Sequence, residues 1–124
     1  MTAEELIAQT KADYAAFTSG DIAAAAVNHA DDIEWIIPGN SAISGTHKGK
    51  DAVLALWGRL PEHFRGMELE HFFSDGERVV VLVHTEYDSG GADEAHVLTF
   101  RDDKLVKWQL AGDTALMERA WGTK

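Results

Sequence analysis

The chain contains no cysteine. Disulfides, thiolate nucleophiles and cysteine-ligated metals are thereby excluded. Only two prolines occur, Pro38 and Pro61, so no proline-rich linker divides the chain. No apolar run approaches the ~18 residues that span a bilayer, and no secretory-signal pattern is read at the N-terminus. Basic charge is scarce, with 11 Lys and Arg against 21 Asp and Glu and a net charge of -10. The basic residues stand singly. Nucleic acids and anionic membranes reward clustered Lys and Arg, so neither is an expected partner. The expected location is cytoplasmic.

What is present suits an ordinary globular chain. Of the 124 residues, 45% are hydrophobic and 26% charged, which favours one domain over residues 1–124 with a sizeable core. Thr2 and Glu5 fit a capping box. Leu6, Ile7, Thr10, Tyr14 and Phe17 then recur at helical spacing up to Gly20. Asp21 can cap a short second helix through Val27. Ile33, Trp35 and Ile37 alternate on a strand over 32–37, which Pro38-Gly39 stops. A loop with Gly45 and Gly49 leads to a third helix over 52–60, and Pro61 breaks it.

Strands are expected over 67–73, 78–87, 93–101 and 105–111. Asp75-Gly76 marks a hairpin, Ser89-Gly90-Gly91 a loose connection and Asp102-Asp103 a turn. Asp113 opens a short last helix with Leu116, Met117 and Trp121. Helices followed by a run of antiparallel strands predict an α+β fold rather than alternating βαβ units. Arg78 to Tyr87 is apolar on both faces, with Val79, Val81 and Val83 on one and Val80 and Leu82 on the other. A sheet with one buried face should alternate. Either a second copy covers the other face, giving a homodimer, or this is one long buried strand.

Several local motifs occur in a familiar order. They are Ser19-Gly20-Asp21, Ala30-Asp31-Asp32-Ile33-Glu34-Trp35, Pro38-Gly39, Ser44-Gly45 and Lys48-Gly49-Lys50-Asp51-Ala52-Val53. Thr99-Phe100-Arg101-Asp102-Asp103-Lys104-Leu105-Val106 and Asp113 complete the set. In this order they resemble the nuclear-transport-factor-2-like superfamily, in its SnoaL-like and ketosteroid-isomerase-like branch. The resemblance covers nearly the whole chain. It implies a conical barrel, a strongly curved, mostly antiparallel sheet with the N-terminal helices packed on its concave face. The wide end would open to a small-molecule ligand, and many members are homodimers. The superfold hosts enzymes, binding proteins and transport factors, so it does not name a reaction.

Ketosteroid-isomerase chemistry needs a carboxylate base with a Tyr and a protonated carboxyl as donors. By the resemblance, the base position falls on Ile37 and the acid position on Leu98, both apolar. Tyr14 falls one residue from the family's Tyr, about 100° around a helix. That mechanism is disfavoured. SnoaL-like cyclases place an acid or base Asp after the last strand, where this chain has Asp113, yet Asp113 is equally an N-cap. His96 shares a strand face with Leu98 and Phe100, so it should point into the cone and can pair with Asp113 as a proton shuttle or serve as a wall residue. His84 shares a face with Glu86 on the neighbouring strand. His47 sits on the rim, and His29, His63 and His71 read as surface residues. Tyr14, Phe17, Trp35, Trp57, Phe64, Phe100 and Trp108 either line a pocket or pack the core. No compact metal-ligand cluster is legible, so neither a metal nor a cofactor is expected. Three functions stay open: cofactor-independent acid–base chemistry (cyclase or isomerase type) on a small polycyclic, aromatic or otherwise lipophilic ligand, ligand binding without chemistry, or an interaction module whose cone is filled by its own side chains.

Overall fold

The first helix, α1 (Ala3–Thr18), starts at the expected capping box. The Thr2 hydroxyl accepts from Glu5 N at 3.1 Å, and the Glu5 carboxylate accepts from Thr2 N at 2.9 Å. Its buried stripe is Leu6, Thr10 and Tyr14. Gly20 turns the chain at φ +87°, and Asp21 caps α2 (Ile22–Ala26) by accepting from Ala24 N. The computed structural model describes residues 1–124.

The remaining elements are β1 (His29–Ile37), β2 (Gly45–Lys48), α3 (Lys50–Arg59), β3 (Phe64–Ser74), β4 (Arg78–Tyr87), β5 (Gly90–Arg101), β6 (Lys104–Ala111) and α4 (Thr114–Trp121). They form one six-stranded sheet in the order β2-β1-β6-β5-β4-β3. All pairs are antiparallel except β1 with β6. Register shifts interrupt the β1/β6, β3/β4 and β5/β6 ladders. Such bulges bend strands and tighten the twist, which curves the sheet around the helices. α1 packs against β3 and β4, α3 against β1 and β2, and α4 against β4.

Three expectations are corrected. The segment between Gly39 and Lys50 is not all loop, because β2 pairs with β1 from Glu34↔Lys48 to Ile37↔Gly45. Ser89-Gly90-Gly91 is not loose, because Tyr87 pairs with Gly90 and leaves a two-residue turn of Asp88 and Ser89. β1 begins at His29, three residues earlier than its alternation suggested. Each miss has the same cause: pairing with a neighbouring strand extends a strand into residues of weak local preference.

The strand β4 keeps Val79, Val81, Val83, Thr85 and Tyr87 buried on the concave side. Val80, Leu82 and His84, on the convex side, are half-buried. Gly39 pins the end of β1 to the start of α4. It sits at φ +87°, and a Cβ there would lie 2.7 Å from Thr114 Cβ. An ordinary side chain would be strained twice, by conformation and by collision.

Candidate functional site

Between the helices and the concave face lies a cavity of about 100 Å³ with mostly hydrophobic walls. β1 supplies Trp35 and Ile37, β5 supplies His96 and Leu98, and β6 supplies Trp108. Tyr14 and Phe17 reach in from α1, Trp57 from α3, and Phe64 from the start of β3. Trp35 stacks on Trp108 at 4.1 Å between ring centroids and 7° between planes. The two residues are register partners across the parallel ladder, so the stack follows from the pairing. Trp57 meets Trp35 edge-on at 5.3 Å.

One connected polar group interrupts the apolar wall. The Trp108 indole N–H donates to the Tyr14 hydroxyl oxygen at 3.1 Å. The Tyr14 oxygen lies 2.7 Å from His96 Nδ1. An indole nitrogen only donates, so the Tyr14 proton is left for Nδ1, and this assigns the imidazole proton to Nε2. His96 Nε2 faces Glu94 Oε1 at 3.7 Å. That is an electrostatic contact, longer than a hydrogen bond. Glu94 is only 5% exposed, and each of its oxygens accepts from one hydroxyl. Thr85 donates to Oε1 at 2.8 Å and Tyr87 to Oε2 at 2.7 Å. Gly112 makes room for this carboxylate, since a Cβ there would come within 2.8 Å of Glu94 Cγ.

Burial dominates the electrostatics. It pushes the Tyr14 phenol well above its ordinary range, against the Trp108 hydrogen bond. It raises Tyr87 too, helped by the adjacent Glu94 charge. Burial lowers His96, and Glu94 opposes that shift. His29 is held down to about 4 by burial, with the Lys50 charge adding to it. Asp13, half-buried on the cavity wall, is raised to about 6 by desolvation, against a hydrogen bond from Asn28. At neutral pH the site therefore holds two neutral imidazoles and two protonated phenols.

The model of the SnoaL-like domain matches residues 11–108. The chain belongs to the SnoaL-like domain family. Solved structures of similar shape agree. An NTF2-like protein from Burkholderia xenovorans LB400 is 30% identical, covers 98% of both chains and superposes with a TM-score of 0.84. Bal32a, from a soil-derived mobile gene cassette, is 26% identical over 96% of this chain and 98% of its own, with a TM-score of 0.86. TerC, crystallised with polyporic acid, is 26% identical over 95% and 98%, with a TM-score of 0.77. None of the curated proteins matches the sequence.

Within this SnoaL-like domain, nine expected residues line the cavity: Tyr14, Phe17, Trp35, Ile37, Trp57, Phe64, His96, Leu98 and Trp108. Four do not. Asp113 is exposed beyond the end of β6, and its carboxylate accepts from Leu116 N at 3.1 Å as the cap of α4. The expected Asp113–His96 pair is therefore not assembled. β6 ends at Ala111, so strand alternation no longer carries an inward face as far as Asp113. Phe100 is buried outside the cavity. His47 shares the face of its partner Trp35, but at the sheet edge its Nε2 is 2.8 Å from the Ile43 carbonyl. His84 points to the convex side, between Asp93 at 2.9 Å and Glu86 at 2.6 Å. Those hydrogen bonds raise it to about 9.

Sequence reasoning missed Glu94, Thr85, Tyr87, Asp13 and His29. The signal for Glu94 was its parity with His96, two residues away on one strand. His29, taken for a surface residue, is 5% exposed and lies against Trp35 and Trp57. The small free volume bears on the ligand as well. An apolar cavity of about 150 Å³ takes up benzene, so a polycyclic molecule would extend beyond about 100 Å³ or move the wall.

Proposed function

We propose that this SnoaL-like domain binds a small, mainly apolar molecule in its cone and moves a proton on it, as an isomerase does, without a cofactor. The observation that carries this reading is the His96–Glu94 pair. A donor, Nε2–H, stands 3.7 Å from an acceptor, Glu94 Oε1, at the wall of an apolar cavity. A ligand carbonyl placed at Nε2 would have its developing negative charge stabilised there. Glu94 would take the proton from the adjacent carbon and return it to another position, so no atom is gained or lost. Tyr14 and Trp108 would hold the imidazole in the donating tautomer. The resemblance to TerC, a protein crystallised with polyporic acid, supports a small-molecule role for the cone.

The test is hydrogen–deuterium exchange at the α-carbon of small cyclic ketones in D₂O, followed by proton NMR. The protein should accelerate exchange, and Glu94→Gln should lower the rate about 100-fold or more, the usual scale for loss of a general base. Ketone binding without exchange above the buffer rate would leave a binding protein and remove the catalytic role. For the convex face, the half-buried Val80, Leu82 and Val97 support pairing with a second copy, which sedimentation at micromolar concentration would detect.

A further inference from the structure

One histidine of the cavity wall has no partner. His29 opens β1, lines the cavity and is 5% exposed. Neither of its ring nitrogens makes a hydrogen bond, yet neither is sealed off, because the sealed unpaired nitrogens belong to Gln9, Trp57 and Trp121. An unsealed nitrogen on a residue this deep in the wall borders the cavity itself. The other histidines that are not fully exposed are engaged. His47 meets the Ile43 carbonyl, His63 meets Asp88, His84 lies between Asp93 and Glu86, and His96 pairs with Tyr14. A buried polar group without a partner calls for an explanation.

The other titratable and hydroxyl groups of the wall are taken. Tyr14 is held by Trp108 and His96, Thr85 and Tyr87 donate to Glu94, and Asp13 accepts from Asn28 at 3.4 Å. Two indoles fix the His29 ring, Trp35 at 5.9 Å and Trp57 at 5.4 Å. Burial keeps the ring neutral at pH 7, so it offers one N–H and one lone pair. His96 Nε2–H already gives the cavity a donor, and the lone-pair nitrogen of His29 adds an uncharged acceptor. A hydroxyl suits this ring, because its O–H donates to the lone pair and its oxygen accepts from the N–H. Charge narrows the ligand further. No Lys or Arg lines the cavity, while Asp13 and Glu94 do. An anionic ligand would meet carboxylates with no cation to offset them.

We infer that His29 is a ligand-binding residue, and that the ligand is a compact, uncharged compound whose hydroxyl group hydrogen-bonds to its imidazole. This goes beyond the proton-transfer reading and applies equally to a protein that only binds. A single ring comes nearest to the free volume of about 100 Å³, since benzene occupies a cavity of about 150 Å³. His29 would act in recognition and leave the chemical step to His96 and Glu94.

The test uses a matched pair of probes, phenol and fluorobenzene. They share a ring and nearly the same shape, and differ in the hydroxyl. Affinities are measured by NMR titration for the wild-type protein and for His29→Phe, whose ring keeps the packing between Trp35 and Trp57. Comparing the ratio of the two affinities between proteins cancels the different hydration of the probes. The preference for phenol should fall about tenfold in His29→Phe, the scale of one buried hydrogen bond. Independently of that variant, a ring-nitrogen resonance of His29 in the isotope-labelled wild-type protein should shift far more with phenol than with fluorobenzene, beyond the ring-current effect common to both. An unchanged ratio in a folded variant overturns the inference, as do equal nitrogen shifts with the two probes bound. Failure of both probes to bind overturns it too. The α-carbon exchange of cyclic ketones reads the proton-transfer step separately. Exchange without this discrimination removes only the role of His29, and discrimination without exchange removes only the catalysis.

Discussion

Replacing Tyr14 by Phe removes one oxygen and keeps the ring. The oxygen has two buried partners, Trp108 Nε1 at 3.1 Å and His96 Nδ1 at 2.7 Å. Trp108 is 6% exposed and His96 5%, so both groups lie away from bulk solvent. Each orphaned buried group is destabilising by about 1–3 kcal/mol. Two of them make a loss of roughly 2–6 kcal/mol, a large part of the 5–15 kcal/mol that holds a typical domain together. With a urea m-value of about 1–3 kcal/mol/M, the unfolding midpoint should fall by about 1 M or more. Urea titration followed by tryptophan fluorescence reads this directly. The Phe ring preserves the packing of α1, so a large loss reports the hydrogen bonds rather than a cavity. A midpoint lowered by less than about 0.3 M, with the m-value unchanged, would refute the reasoning. The Tyr14 oxygen would then not be the shared partner of the imidazole and the indole.

Two further outcomes follow from the same forces. His29 is depressed to about 4 in the folded chain, against about 6.5 when unfolded. The unfolded state therefore takes up the proton first. The stability is present above about pH 6.5 and is lost as pH falls towards 4, by about 3 kcal/mol in all. Over part of the same range Asp13, raised to about 6 by burial, acts the other way, because the folded chain gains its proton before the unfolded one. Urea midpoints between pH 7 and pH 4.5 should fall less steeply in His29→Gln than in the wild-type protein, and equal slopes would count against the assignment. Asp113→Ala should lower stability by about 1 kcal/mol through the lost cap and leave ketone affinity and exchange unchanged. A large loss of exchange in that folded variant would return Asp113 to the chemistry.

Much of the fold could be read from local patterns because its signals are local. The Thr2–Glu5 box, the Asp21 and Asp113 caps and the alternation of Arg78 to Tyr87 each depend on neighbours within a few residues. The Asp102-Asp103 turn is of the same kind, with φ of 51° and 64° joining Arg101 to Lys104 in a two-residue hairpin. β2 was not legible, since its four residues form a strand only because β1 lies beside them.

The site divides in the same way. Parity put His96 and Leu98 on one strand face, and the ordered motifs pointed to the SnoaL-like family, whose resemblance marked that face as the concave one. Sequence also determined that Ile37 and Leu98 supply no carboxylate. Only the tertiary structure decided which polar groups meet. Tyr14 and His96 are 82 residues apart, and Tyr14 and Trp108 are 94 apart. Their contact depends on the curvature of the sheet and the seat of α1, which no local period encodes. β6 ends at Ala111, before Asp113, and leaves that carboxylate outside, while Glu94 is carried inside beside His96. A side chain's face follows from strand alternation, but its partners follow from how far the strand runs and how sharply its neighbours bend.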